Sequence, residues 1–254
     1  MSTHYDEVCR RFFRGLAKEK GITDEYVWSR HEGSGVVEYR ILPPSYFNLH
    51  GDEYAIVKGE EVMMECTFKS ARAHVFTQLP QDSVTRINEI LKLNLSDARC
   101  RSLFYCALNA VMRYYGLIEG TIHCRGDSPL KCAKSLVEDL RKAVSGARIL
   151  LIGYQPAIAE ELAKNFSTVY ITDMNPRNVG KVIHGIPILS HVENSELIQR
   201  VDIVLASGSS LINNTLWDLY KVSAEHGKTF MLYGVSAAGV SRILGIERHC
   251  PFSQ

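Results

Sequence analysis

The stretch "VDIVLASGSSLINNTLWDLYKVSAEHGKTFMLYGVS", residues 201–236, reads as a strand, a helix and a second strand. Its two strand segments, Val201–Gly208 and Lys228–Ser236, are apolar over most of their length. A strand with one face in water alternates apolar and polar residues, whereas a strand buried on both faces does not. The stretch therefore predicts two parallel strands joined by a helix over Leu211–Gly227, in a sheet that is covered on both faces.

The same alternation continues upstream as far as residue 146. Apolar strands are predicted at Ala147–Tyr154, within 167–175 and at Gly185–Ser190, with helices that begin at Pro156 and Asn194. Alternating helices and buried strands are typical of an α/β fold with a Rossmann-like parallel sheet. We assign residues 146–254 to this domain.

The first 145 residues have a different organisation. An amphipathic helix over residues 4–20 is followed by runs rich in β-branched and aromatic residues, and then by two more helices. The expected strands are Val36–Leu42, Glu53–Gly59 and Glu61–Phe68; the expected helices lie within 81–94 and from the cap residues Ser96 and Asp97 to Gly116. The last helix is apolar on nearly every side, which predicts that it is buried. Strands followed by helices indicate a smaller α+β domain over residues 1–145.

Composition excludes several classes of protein. The chain has 254 residues, 22% of them charged, and a formal net charge of +1, so no overall field attracts nucleic acid or an acidic membrane. No apolar run reaches the roughly 18–20 residues that span a bilayer, and the N-terminus lacks a secretory apolar segment. Seven cysteines spread over the chain suit free thiols. We expect a cytoplasmic protein whose partner is a small molecule; homo-oligomerisation stays open.

Four loops are predicted to meet at the carboxyl edge of the parallel sheet, where such folds bind ligands. They are residues 153–156, 173–178, 207–215 and 233–239. The third loop, "SGSSLINNT", carries hydroxyls and carboxamides at a helix N-terminus, which favours neutral or anionic ligands. Alternatively, Ser209 or Ser210 only caps the helix. The candidate ligand-binding residues are Gly153, Asp173, Gly208, Ser209, Ser210, Asn213, Thr215, Gly234 and Ser236.

The first of these loops argues against a dinucleotide. Asp173 stands twenty residues beyond Gly153, which is the spacing of an acid that binds a ribose hydroxyl. However, the pyrophosphate motif G-x-G-x-x-G needs three glycines, and this loop has one. NAD binding is therefore not expected, whereas a nucleoside or S-adenosylmethionine site stays open. Asp173 could equally end its strand and stabilise a turn at Asn175 and Pro176.

The polar loops also carry a longer pattern. An aspartate leads into a strand, a Ser-Gly-Ser-Ser-Leu-x-Asn-x-Thr stretch follows, and the next strand ends in Gly-x-Ser; the matching residues are Asp202, Gly208, Ser209, Ser210, Leu211, Asn213, Thr215, Gly234 and Ser236. This pattern resembles a widespread family of unknown function whose name refers to heavy-metal chelation. Ala107, Asn109 and Ala110 resemble a helix with alanines on both sides of an asparagine in the companion domain of that family. Many relatives have proline where this chain has Val235.

The resemblance implies two domains, the first enolase N-terminal-like and the second Rossmann-like, with a polar cleft between them. It makes Asn109 a further candidate ligand residue. A carboxamide in an apolar helix must find hydrogen-bond partners, so Asn109 could instead bond to neighbouring backbone groups.

Histidines and cysteines recur together in two places, which are His123, Cys124 and Cys132 in the first part and His249 and Cys250 near the end. The seven residues between Cys124 and Cys132 exceed the C-x₂₋₄-C spacing of structural zinc sites. Buried thiols without a ligand are the simpler interpretation, and whether these five residues bind a metal stays open.

Three functions stay open. The chain binds a small anionic or metal-associated metabolite in an interdomain cleft, or it is a transferase-like enzyme with a nucleoside-type cofactor such as S-adenosylmethionine near Gly153 and Asp173, or it is a scaffold. The loops contain no nucleophile–base pair, so we assign no catalytic residue and no cofactor. His50, His74 or Arg72 of the first domain could supply an acid or base across the cleft.

Overall fold

The computed structural model describes residues 4–23, 35–49, 54, 62–144 and 146–254. The elements of the first part are α1 (His4–Glu19), β1 (Val36–Leu42), β2 (Val62–Phe68), β3 (Ala71–Thr77), β4 (Ser83–Arg86), α2 (Ile87–Ile90), α3 (Ala98–Tyr114) and α4 (Ser128–Ala143). Those of the second part are β5 (Ile149–Ile152), α5 (Pro156–Asn165), β6 (Val169–Asp173), β7 (Val182–Ile183), β8 (Ile186–Ser190), α6 (Asn194–Arg200), β9 (Ile203–Ser207), α7 (Ser209–Ile212), α8 (Leu216–Glu225), β10 (Thr229–Tyr233), α9 (Ala238–Leu244) and β11 (Glu247–His249). Within these described ranges, no helix is long and apolar enough to cross a membrane.

The larger sheet has the strand order β11-β10-β9-β5-β6-β8-β7. Its neighbouring strands are parallel except β7 and β8, which form an antiparallel pair. From β5 the chain passes outward through β6 to β8, and then returns to the other side of β5 with β9, β10 and β11. Strand order therefore reverses between β5 and β9, which is the topological switch point of a Rossmann-like sheet. The predicted α/β fold class is confirmed.

Both faces of this sheet are covered. Leu150 and Ile152 of β5 pack in the layer that contains α3 and α8, whereas Ile149 and Leu151 pack in the layer that contains α4 and α5. This alternation explains why the strands are apolar throughout. Helix α4 precedes the predicted domain boundary at residue 146, yet it packs on the parallel sheet. The boundary itself stays a prediction.

The smaller sheet is antiparallel, with the order β3-β2-β1-β4. The strands predicted at Val36–Leu42 and Glu61–Phe68 are confirmed as β1 and β2, while Glu53–Gly59 lies outside the described residues except for Tyr54. Strand β3, which was not predicted, follows a turn at Lys69, whose φ is +53°.

The helix expected within 81–94 is wrong. This segment opens with β4, which pairs with β1, and only the single helical turn of α2 follows. The β-branched residues Val84 and Thr85 suit a strand, and pairing with β1 satisfies backbone groups that would otherwise need a helix.

Helix α3 lies between the two sheets. Every residue from Arg101 to Met112 is buried, as its apolar character predicted. One side of α3 packs on β2 and β3, and another contacts α7 and α9 of the second part. A single hydrophobic core therefore extends from the antiparallel sheet through α3 to one face of the parallel sheet.

The helix predicted over Leu211–Gly227 is interrupted. Helix α7 ends at Ile212, α8 begins at Leu216, and Asn214 between them has a φ of +59°. Asparagine adopts this left-handed conformation more readily than most residues other than glycine. The single-helix prediction is therefore wrong, and the polar residues of this loop surround a break between two helices.

Candidate functional site

A cavity of about 140 Å³ lies at the carboxyl edge of the parallel sheet, at the switch point between β5 and β9. We call it the first cavity. One side is formed by the loops that follow β5, β6, β9 and β10, and the other by residues of the first part of the chain. The described residues that line it are Leu49, Tyr54, Phe76, His123, Pro129, Gly153, Tyr154, Gln155, Pro156, Asp173, Asn175, Asn178, Ser207, Gly208, Ser209, Tyr233, Gly234 and Ser236.

A second cavity, of about 70 Å³, adjoins the first. Gly153, Asp173, Ser207 and Ser209 line both cavities and form the wall between them. The other residues of the second cavity are Ile152, Thr172, Met174, His191, Asn194, Ser210, Asn213 and Thr215. A ligand larger than the first cavity could therefore extend into the second.

Nine of the ten candidate ligand-binding residues line one or both cavities. Those of the first cavity are Gly208, Gly234 and Ser236, those of the second are Ser210, Asn213 and Thr215, and those of both are Gly153, Asp173 and Ser209. The tenth, Asn109, lines neither cavity. That the nine residues bind a ligand stays a prediction.

Asn109 joins α3 to the loop that follows β10. Its amide nitrogen donates to the carbonyl of Ser236 at 3.0 Å, and its side-chain oxygen accepts from the N–H of Gly239 at 2.8 Å. A Cβ on Gly239 would lie 2.7 Å from that oxygen, so glycine is required at this close approach. The hydroxyl of Ser236 also accepts from the N–H of Phe76 at 3.1 Å. These bonds hold the loop against the first part of the chain.

Gly153 and Asp173 shape the wall that the cavities share. Gly153 has a φ of +89°, and a Cβ there would lie 2.9 Å from the Cβ of Ser207. The carboxylate of Asp173 accepts from the N–H groups of Tyr154 and Asn175, both at 2.6 Å. Asp173 thus stabilises the turn after its strand. Each of its oxygens has a second lone pair, so the carboxylate can also accept a hydrogen bond from a ligand.

The hydroxyls of the third loop bond within the loop. The Oγ atoms of Ser207 and Ser209 are 2.8 Å apart, and Ser210 donates to the carbonyl of Ser207 at 2.6 Å. Helices α7 and α8 begin without a side-chain cap bond, so the interpretation of Ser209 or Ser210 as a cap is wrong. The carboxamide of Asn213 lines the second cavity and makes no hydrogen bond to the described residues.

The N-terminus of α5 lines the first cavity but offers little to an anion. Its first residue, Pro156, has no N–H, and the side chain of Gln155 accepts from the N–H of Ile158 at 2.6 Å. In Rossmann-like proteins the pyrophosphate of a dinucleotide binds at this helix N-terminus. Because Pro156 and the Gln155 cap occupy this helix N-terminus, we do not expect a pyrophosphate to bind there.

We expect neither NAD nor NADP to bind with micromolar affinity, because the N-terminus of α5 is already capped by Gln155. Isothermal titration calorimetry measures this, with S-adenosylmethionine titrated alongside because it has no pyrophosphate. Micromolar binding of either dinucleotide would contradict the argument from the cap.

His123 is a cavity residue that the sequence suggested only as a metal ligand. Its Nδ1 lies 2.7 Å from the carbonyl of Cys124, and its backbone N–H donates to Nδ1 of His74 at 3.1 Å. Burial lowers the pKa of His123 to about 4, so the ring is neutral at pH 7. Since Nδ1 carries the proton that is donated to Cys124, Nε2 retains its lone pair.

Behind this wall, Glu65 and His74 form a buried pair. Nε2 of His74 lies 2.9 Å from the carboxylate of Glu65, and Arg40 donates to the same carboxylate at 2.7 Å. Burial alone would raise the pKa of Glu65, but the hydrogen bond and charge of His74 and the charge of Arg40 outweigh it, and the pKa is lowered. Neither His74 nor Arg72 lines the cavities, and His50 lies outside the described residues. The geometry therefore gives neither His74 nor Arg72 an acid–base role at the cavities.

Neither cavity has a lysine or an arginine among the described residues that line it. Asp173 contributes a carboxylate, and the other polar side chains are hydroxyls, carboxamides and the imidazoles of His123 and His191. An anionic ligand would depend on backbone N–H groups next to a carboxylate, which is unfavourable. The lining favours an uncharged or cationic ligand.

The residues considered as metal ligands do not form a recognisable centre. In the ranges that the structure covers, no group of three or more His, Cys, Asp or Glu side chains is arranged to hold a metal ion. Burial and the nearby Cys250 raise the pKa of Cys124 to about 12, and the same causes raise the pKa of Cys132 to about 12. A thiol must lose its proton to bind a metal, so the raised pKa values oppose metal binding by these two residues.

We expect purified protein to hold less than one zinc or iron ion per chain, because these thiols stay protonated. Inductively coupled plasma mass spectrometry measures the metal content. The double variant Cys124→Ser, Cys132→Ser should have the same content as the native protein. One tightly held ion per native chain that the double variant loses would show that the thiols are ligands.

The second part of the chain is similar to a known family. Residues 136–245 match the DUF364 family model, which is described as "Putative heavy-metal chelation". Over these residues the chain is similar to the DUF364 family. The family resemblance predicted from the sequence is confirmed, and no curated protein matches the chain.

Two solved structures of DUF364 proteins resemble the chain, and both are described as having unknown function. The protein from Pyrococcus horikoshii is 15% identical, covers 91% of this chain and 78% of its own, and has a TM-score of 0.53. The protein from Desulfitobacterium hafniense is 15% identical, covers 72% of this chain and 73% of its own, and has a TM-score of 0.45. At this identity the first comparison supports the fold alone. The enolase N-terminal-like character of the first part stays a prediction.

Proposed function

We propose that the protein binds a small metabolite at the carboxyl edge of its parallel sheet, with the main part of the ligand in the first cavity. The observation that carries this proposal is the position of the cavity at the switch point, between polar loops and an apolar wall from the first part. Ligand sites of α/β proteins occur at such points and combine an apolar lining with a few placed polar groups. We further propose a cytoplasmic location, which the seven free thiols support.

The proposed ligand is uncharged or cationic, in place of the anionic ligand expected from the sequence. The described lining contains Asp173 and no lysine or arginine, and the N-terminus of α5 is occupied by its own cap. A metal-associated ligand would have to bring the donors for its metal, because the described residues form no cluster of three ligands.

A second candidate is a transferase-like enzyme with a nucleoside-type cofactor such as S-adenosylmethionine. Asp173 ends β6, the strand next to β5, where Rossmann-like proteins place the acid that binds ribose hydroxyls. S-adenosylmethionine has a sulfonium cation and no pyrophosphate, and both properties suit this lining. Binding in the titration described above would favour this candidate over simple metabolite binding.

The test of the proposed function is retention of a co-purified small molecule. Asn213→Ala and Thr215→Ala should abolish retention, because both side chains line the second cavity. They should change the free energy of unfolding by less than about 0.5 kcal/mol, because Asn213 has no bond to lose and Thr215 makes only a 3.3 Å bond to the carbonyl of Ser210. Native mass spectrometry of gently purified protein and thermal unfolding are the two measurements.

The matched control is Asn214→Gly. Asn214 lies between the two test positions but lines neither cavity, and its φ of +59° suits glycine. This variant should retain the molecule and be at least as stable as the native protein. Equal retention by all three variants would exclude the second cavity from the site.

A further inference from the structure

The imidazole of His123 is held in one orientation and one tautomer. Nδ1 donates to the carbonyl of Cys124, and the rings of Phe47 and Phe76 meet the imidazole edge-on with centroids 5.5 Å and 5.3 Å away. His74 fixes the backbone of the same residue through the bond at Nδ1 and is itself held by Glu65. Nε2 is thus a fixed hydrogen-bond acceptor on a residue that lines the first cavity, and it has no partner among the described residues.

The first cavity has the size of one ring system. Its volume of about 140 Å³ is comparable to the roughly 150 Å³ apolar cavity that binds benzene in an engineered protein. Its lining includes Phe76, Pro129 and Tyr233, which present apolar surface to a flat ring. The remainder of a larger ligand would extend along the wall shared with the second cavity.

Two acceptors that line the first cavity indicate the chemistry of that ligand. His123 contributes Nε2 from the first part of the chain, and Asp173 contributes its carboxylate from the end of β6. A ligand that covers Nε2 of His123 without donating to it leaves a buried acceptor unpaired, which costs free energy, so the ligand must present an N–H or O–H donor there. The carboxylate of Asp173, which already accepts two backbone bonds, has further lone pairs that favour a second donor on the ligand. A phosphate presents acceptors instead, and the described lining has no lysine or arginine to bind it.

We infer that the first cavity binds an aminated nucleoside, whose amino group donates to Nε2 of His123 and whose ribose hydroxyls donate to Asp173. This inference rests on the proposed function and names the class of ligand. It assigns to His123 a role as a specificity-determining residue.

The experiment compares adenosine with purine riboside, which lacks only the 6-amino group, by isothermal titration calorimetry. Native protein should bind adenosine about tenfold more tightly, because purine riboside leaves Nε2 unpaired. In His123→Phe, which keeps an aromatic ring but has no acceptor, the two affinities should become equal. In His123→Gln, which restores an acceptor, part of the preference should return.

The outcomes separate the inference from the proposed function. Equal binding of the two nucleosides to native protein overturns the role of His123 and leaves metabolite binding standing. No binding of either nucleoside at millimolar concentration overturns the nucleoside class, while retention of another molecule that depends on Asn213 would still support the proposed function. A preference for adenosine that survives in folded His123→Phe assigns recognition to another residue and overturns the inference.

Discussion

Replacing Arg101 by methionine is expected to lower the free energy of unfolding by about 3–5 kcal/mol. The guanidinium and the carboxylate of Asp6 are both fully buried and form an ion pair at 2.8 Å. Two further donors of Arg101 bind the carbonyl of Leu211, the penultimate residue of α7, at 2.7 Å and 3.0 Å. The substitution therefore leaves a buried carboxylate without its cation and removes the two guanidinium donors from the carbonyl of Leu211.

Urea denaturation followed by circular dichroism measures this effect. The control is Arg99→Met on the same helix, where the side chain is exposed and the change should stay within about 0.5 kcal/mol. The double variant Asp6→Leu, Arg101→Met removes both charges and should be less destabilised than the sum of the single variants. Tyr105 and Trp217 also donate hydrogen bonds to Asp6. A loss below about 1 kcal/mol for Arg101→Met would show that these two bonds are enough to stabilise the buried carboxylate without Arg101.

Acid is expected to destabilise the native protein in steps, and His123 should account for about 3 kcal/mol of the loss between pH 6.5 and pH 4. Burial lowers the pKa of His123 from 6.5 to about 4 in the folded chain. Between these values the unfolded chain binds a proton at this residue and the folded chain does not. The stabilising contribution is therefore complete above pH 6.5 and is lost as the pH falls toward 4.

The measurement is the free energy of unfolding across this pH range for native protein and His123→Phe. Burial also lowers the pKa values of His74 and His249. The pH dependence of the native protein's free energy of unfolding therefore contains their contributions too, with the same sign. The lowered pKa of Glu65 adds a contribution of the same sign, but only at the acid end, below its ordinary value of 4.5. The difference between the two proteins isolates His123, and His226→Gln, at an exposed histidine, is the matched control. Parallel curves for native protein and His123→Phe would contradict a neutral His123.

The sequence predicted the parallel half of the fold better than the antiparallel half, for a physical reason. A strand buried on both faces, such as Val201–Gly208, has a continuous apolar run that few other structures can accommodate. The exposed edge strand β4 has no such signature, and its segment reads equally well as a helix. The break at Asn214 was missed because asparagine permits the left-handed conformation without requiring it.

The sequence also predicted some residues of the candidate site and missed others. Loops after parallel strands meet at one edge, so Gly153, Asp173 and Ser209 could be grouped from strand order alone. His123 and Phe76 reach the same cavity through packing between distant segments, and no local motif marks them. The one signal at His123 was its neighbour Cys124, which suggested a metal and not a hydrogen-bond acceptor.

Helix α3 has one more consequence. Because it is buried between both sheets and shares one core with them, separating the sheets would expose both sides of the helix, and we expect the described chain to lose its structure cooperatively. Binding of a ligand in the first cavity then stabilises the entire molecule against thermal unfolding. A ligand present at a hundred times its dissociation constant raises the free energy of unfolding by about 2.7 kcal/mol. The melting temperature becomes a reporter of the cavity, and compounds can be screened by heating the protein with each of them.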